Sequence, residues 1–229
     1  IMRIGLTSLA FDGKSMPSGI DYVEDVPTKR TSSADDMLGF LHGVDADQFG
    51  TSKFENVCRR ELEKWSERGY NSFIYGSPTT RQVPVQSKLG TIQSICRLLP
   101  RTTHHNHFLI ELLDCQALSD YKTVRQVADA VSMVPNNWSV GVVLDLGEAV
   151  RSGMTTSDII NMPRIERFHL RGVDAEEPFD VKQMASQVSL LDRWLDYYDP
   201  AVVDLTFESR AADSHYREFI DFADRRWRA

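Results

Sequence analysis

The chain is poor in the residues that staple small secreted domains. It holds three cysteines, Cys58, Cys96 and Cys115, an odd count with no C-x-x-C pair. That excludes a disulfide framework and favours a reducing compartment, so a cytoplasmic location is expected. No apolar run is long enough to span a bilayer, and no signal-peptide pattern is present, so no membrane partner is expected. An excess of positive charge is missing as well. The formal net charge is -7, which argues against a nucleic-acid partner, because phosphate backbones are bound by clustered Lys and Arg. The basic ending Arg225-Arg226-Trp227-Arg228 is read instead as complementing the carboxyl end of the last helix.

What is present is ordinary globular material. Hydrophobic residues make up 41% and charged residues 26% of 229 residues, enough for one domain (1–229) with a substantial core. Met2–Phe11 reads as a first strand. Asp12–Arg30 reads as a long loop over that strand's carboxyl side, a lid in such folds, with an extended piece at Asp21–Val26. Ser32 or Ser33 caps an expected helix running through Leu41, with Asp35 and Asp36 in its first turn. A short strand over Val44–Phe49 follows. Phe54, Val57, Cys58, Leu62 and Trp65 recur at helical spacing and predict a helix ended by Gly69.

Further strands are expected at Tyr70–Tyr75, Phe108–Asp114, Ser139–Asp145, Arg167–Arg171 and Ala201–Phe207. Helices are expected at Val85–Leu99, Thr123–Met133, Val181–Tyr197 and Ser214–Arg225. Alternating strands and helices imply a parallel sheet, here an α/β (β/α) TIM-type barrel. Seven strands are plain. Either the Asp21–Val26 piece supplies the eighth or one βα unit is missing.

Four polar residues stand at the ends of separate apolar runs: Glu111 in Phe108–Asp114, Asp145 closing Val140–Asp145, His169 in Arg167–Arg171, and Glu208 closing Val202–Glu208. The carboxyl ends of barrel strands are where such folds keep their active sites. Three carboxylates and an imidazole converging there suit one divalent metal ion (Mn, Mg, Co or Zn) with positions left for substrate. The run His104-His105-Asn106-His107 also looks like a metal tract. It precedes a strand, however, and so belongs to the opposite, amino-terminal face.

These four residues carry a resemblance. The family pattern has a strand-end Glu, an L-D-T-G-H strand end, H-L-K-D, and a final strand ending in Glu. Here it reads Ile110-Glu111, Leu144-Asp145-Leu146-Gly147-Glu148, His169-Leu170-Arg171-Gly172 and Thr206-Phe207-Glu208. The chain thus resembles the xylose isomerase-like TIM-barrel superfamily, which includes sugar-phosphate isomerases, ketose 3-epimerases, inosose dehydratase and endonuclease IV. The resemblance implies Glu111, Asp145, His169 and Glu208 as metal ligands, with Glu111 and Glu208 also as acid and base. It implies isomerisation or epimerisation of a small sugar or polyol-like hydroxy-carbonyl substrate through proton abstraction and an enediolate. A homodimer is common in the family.

Two departures follow. The family His after the Asp is Glu148, and the family Lys-Asp is Arg171-Gly172. A trinuclear zinc centre of the endonuclease kind would need several more histidines beside His169. Loss of the family His leaves room for a metal-dependent lyase or dehydratase, or for a barrel that binds a ligand without turnover. Glu148 is a third carboxylate near the ion, a substrate contact, or a first-turn helix residue favoured by the dipole. Arg171 either grips a substrate phosphate or carboxylate or pairs with Glu148 or Asp174. Tyr75 and Phe11 either stack on a sugar ring or belong to the core.

Overall fold

Eight short strands, each alternating between two buried faces, close into one parallel barrel. The computed structural model describes residues 1–10, 17–26, 36–41, 44, 48, 51, 53–76, 107–112, 140–162, 164–172, 180–182, 184–209 and 213–229. The strands are β1 (Arg3–Thr7), β2 (Tyr22–Asp25), β3 (Asp36–Phe40), β4 (Ser72–Tyr75), β5 (His107–Leu112), β6 (Val140–Asp145), β7 (Ile165–Arg171) and β8 (Asp204–Glu208). Each pairs with the next, and β8 returns to β1 through Arg3–Asp204 to Leu6–Phe207. The barrel therefore has eight strands, and the extended piece near Asp21–Val26 supplies one of them.

Two expectations in the first quarter of the chain are corrected. The helix expected up to Leu41 is strand β3, and Val44 and Gln48 stand outside any strand. Met37, Leu38 and Leu41 mimic helical spacing, but the pattern is that of a bulged strand. Gly39 has φ +75, and the register against β4 shifts between Leu38 and Phe40. Such a bulge re-aims the side chains that follow it. Asp36 does not sit in a helix turn. It opens the strand and turns its carboxylate to Arg167 Nη1 at 2.8 Å. The helices expected at Val85–Leu99 and Thr123–Met133 lie outside the described residues.

The described helices pack on the outside. Helix α1 (Phe54–Ser66) buries Phe54, Cys58, Leu62 and Trp65 on one stripe, and Gly69 follows in the left-handed region at φ +95. Asp145 caps the short α2 (Leu146–Arg151). Thr155 and Asp158 form a capping box at α3 (Thr156–Ile160). Helix α4 (Ala185–Leu195) buries Val188, Leu191 and Trp194, with Trp194 edge-on to Phe168 at 5.1 Å. Helix α5 (Asp213–Ala223) continues into a π turn, Asp224–Arg228. There Arg228 donates to the carbonyls of Met2 and Gly19 at 3.2 and 3.0 Å and pairs with Asp21, tying the last turn to the first strand. Among the described residues no helix is long and apolar enough to cross a membrane.

The barrel interior is divided. On β3 to β6 the middle layer of its lining is apolar: Leu38, Ile74, Leu109 and Val143 form a cluster separate from the main core. On β7, β8, β1 and β2 the lining is polar. Arg167, His169, Thr206, Glu24 and Thr7 are all buried there. The four candidate strand ends rise from β5 to β8, on consecutive staves of the barrel.

Candidate metal centre

Period-two alternation decides which strand-end residues reach the interior. Glu111 is registered beside Val143, Asp145 beside His169, and Arg171 beside Glu208, so these residues share the inner face. Glu111, His169 and Glu208 each offer a ligand atom, and these atoms all lie within 4.8 Å of one another. His169 is the hub. Its Nδ1 stands 2.8 Å from Glu111 Oε1 and 3.7 Å from Glu208 Oε2, yet makes no aligned hydrogen bond. Its Nε2 faces the other way, 3.1 Å from Glu24 Oε2.

Asp145 stands apart from that compact trio. Its Oδ1 accepts the Glu148 backbone N–H at 2.8 Å. Its Oδ2 is buried without a hydrogen bond, with Arg171 Nη1 3.8 Å away. A buried carboxylate oxygen and a buried imidazole nitrogen, both lacking hydrogen bonds, would each be costly to leave so. Two carboxylates and one imidazole make a donor set that suits a divalent ion such as Mn²⁺, Co²⁺ or Zn²⁺. The residues present therefore fit such an ion, with Glu111, His169 and Glu208 as its holders and Asp145 Oδ2 as a neighbouring spare donor.

Without an ion the carboxylates carry unequal burdens. Burial, with Glu208 and Asp145 nearby, pushes Glu111 up to about 7 despite His169 beside it. Burial and Glu208 push Asp145 up to about 6. Glu208 is also desolvated, but its contact with His169 wins and holds it below the usual carboxylate range. For His169 burial opposes the charge, while Glu24 and Glu111 outweigh it and raise the imidazole well above its ordinary value.

The remaining candidates separate. Glu148 is buried in the first turn of α2, where its carboxylate takes Arg151 at 2.7 Å and faces Arg171 at 3.5 Å. Arg171 stands at the rim with its side chain a quarter exposed (25%), leaning on Glu148 and Asp145. Asp174 lies outside the described residues. Tyr75 ends β4 but is registered with Ile110, not with Glu111. Its ring therefore enters the core between sheet and helices, where burial raises its hydroxyl well above the usual range. A stacking role on substrate is thereby replaced by the packing role. Phe11 lies outside the described residues, as do His104, His105 and Asn106. His107 opens β5 at the amino-terminal end and contacts Glu166 at 2.6 Å, away from the trio.

One acid beside the trio escaped the sequence reading. Glu24, fully buried on β2, contacts His169, Arg167 and Thr206. Burial opposes its charge, but His169 and Arg167 win and hold it down to about 2. Its signal was the alternation in Asp21-Tyr22-Val23-Glu24-Asp25, which sets Tyr22 and Glu24 on one face.

The shape has solved counterparts. The AP endonuclease, family 2, from Brucella melitensis superposes with TM-score 0.59 at 15% identity, over 97% of this chain and 99% of that one. The fold these counterparts share with this chain is the eight-stranded parallel (TIM) barrel. A xylose isomerase-like TIM barrel/4-hydroxyphenylpyruvate dioxygenase fusion protein matches at TM-score 0.50 and 10% identity. The match takes in 91% of this chain but only 39% of the fusion protein. No protein-family model matches the sequence, and no curated protein matches it. At such identities the likeness is one of fold, and function is argued from the site.

Proposed function

We propose that this protein is a divalent-metal-dependent isomerase or epimerase of a small sugar or polyol-like hydroxy-carbonyl compound. The observation that carries the reading is the trio itself: ligand atoms of Glu111, His169 and Glu208 within 4.8 Å of one another at strand ends on the barrel's inner face. When bound, the ion supplies a Lewis acid that polarises the substrate carbonyl. Glu208, held ionised beside His169, is the base that takes the proton next to that carbonyl. Glu111, which meets the same imidazole from β5, is the second carboxylate, and it returns a proton drawn from solvent to the same or the neighbouring carbon. Arg171 at the rim is the residue placed to meet an anionic substituent.

The test is hydrogen exchange in D₂O. Purified protein loaded with Mn²⁺ is incubated with a panel of ketoses, aldoses and their phosphates, and products are read by NMR and mass. Deuterium entering beside the carbonyl with the substrate formula otherwise kept supports the reading. Loss of water from the product moves the assignment to a lyase. No exchange with any member of the panel, in protein shown to hold the ion, counts against enzymatic turnover of this substrate class.

A further inference from the structure

We infer that Glu24 is the positioning residue that presents His169 Nδ1 to the ion, an inference that rests on the metal centre proposed above. Glu24 is anchored from behind. Arg167 Nη1 donates to its Oε1 at 2.6 Å, and Thr206 Oγ1 donates to the same oxygen at 2.7 Å. Thr206 has a single hydroxyl hydrogen, and that hydrogen goes to Glu24. The 2.8 Å contact between Tyr22 and Thr206 is therefore donated by the tyrosine. Both donors crowd onto Oε1. Oε2 is left buried with no aligned hydrogen bond, and His169 Nε2 meets both oxygens, 3.1 Å from Oε2 and 3.4 Å from Oε1.

An ionised carboxylate only accepts. It therefore selects the imidazole form with hydrogen on Nε2, and the lone pair falls on Nδ1, the nitrogen that faces Glu111 and Glu208. A carboxylate behind a ligating histidine fixes the ring's tautomer and angle and strengthens it as a donor. Glu24 belongs to β2, on the far side of β1 from β8, so the closed barrel is what brings it behind a β7 histidine. Arg167 and Thr206 keep it in place.

The experiment compares wild type, Glu24→Gln and Glu24→Asp, each verified as folded by circular dichroism and cooperative melting. Glu24→Asp keeps the charge opposite Arg167 and guards against a variant that fails to fold. Titration calorimetry with Mn²⁺ alone should show both variants binding about 10- to 100-fold more weakly than wild type. In Zn²⁺-loaded wild type labelled with ¹⁵N-histidine, His169 should carry hydrogen on Nε2 and ligate through Nδ1. That slowly exchanging Nε2–H signal should be lost in Glu24→Gln. Variants that bind within twofold of wild type, or a wild-type spectrum with Nε2 as the ligating nitrogen, overturn the role of Glu24 while leaving the metal centre standing. A wild type that takes up neither Mn²⁺ nor Zn²⁺ removes the centre itself, and the inference with it.

Discussion

Glu111 and Glu208 touch the same imidazole from two strands, yet their protons are held in opposite ways. Replacing either with Gln should remove activity by about 10²- to 10⁴-fold in kcat/KM, the usual range for a positioned acid or base. The thermal midpoint should stay near wild type, because the amide fills the same space; large destabilisation by both would mark a structural role. The ionisation of Glu111 has a second consequence. Its folded value, about 7, lies above the ordinary 4.5. The stabilisation from its neutral form is present at low pH and lost as pH rises through about 7. Metal-free Glu111→Gln should therefore lose less stability than wild type between pH 5 and 8, measured by urea unfolding. Ion binding must expel the retained protons, so Mn²⁺ affinity should rise across the same window, with proton release detectable by calorimetry in two buffers. The site was legible at this scale because Glu, Asp, His and Glu each end an apolar run. What could not be read was how far Asp145 is committed to capping its own helix, because side-chain choice among competing donors is settled by packing.

Strands β5, β6 and β8 announce themselves as apolar runs and β7 as a mixed apolar and polar stretch, whereas β2 and β3 do not. Tyr22-Val23-Glu24-Asp25 and Asp36-Met37-Leu38-Gly39-Phe40 carry acids that a sequence reading assigns to solvent. Glu24 and Asp36 are buried because Arg167 reaches them from β7 at 2.6 and 2.8 Å, and Asp25 because the Tyr70 hydroxyl donates to it at 2.7 Å. A partner more than a hundred residues away leaves no local trace, so tertiary pairing overrode helical spacing in β3. Element β1 shows a subtler dependence. A Cβ at Gly5 would lie 2.2 Å from the Tyr22 ring, and that ring packs under the Arg167 guanidinium at 4.5 Å. Gly5→Ala should displace Tyr22 and cost about 1–3 kcal/mol, the usual range for overpacking, measured as a shift in the urea midpoint.

Across the whole molecule, Arg167 binds acids from β2, β3 and β8 together inside the barrel, and desolvation is outweighed by their charges, which raise it further. Arg167→Met would leave three carboxylates without their common cation and should cost about 3–5 kcal/mol. Chemical denaturation measures this; a loss under about 1 kcal/mol would show that the acids are served by other partners. A barrel is legible in the alternating strands and helices, but its eight staves are not: β2 reads only as an extended piece, and β3 reads as helix. The candidate ligands, finally, sit on neighbouring staves, which displaces them from the central axis towards one side of the opening. Bond-making and substrate choice can then be governed by different stretches of polypeptide. The stretch from residue 107 onward holds the reacting groups, and the strands before it border the remaining arc of the rim. Variation in that earlier stretch can retune which molecule is accepted while the chemistry stays intact.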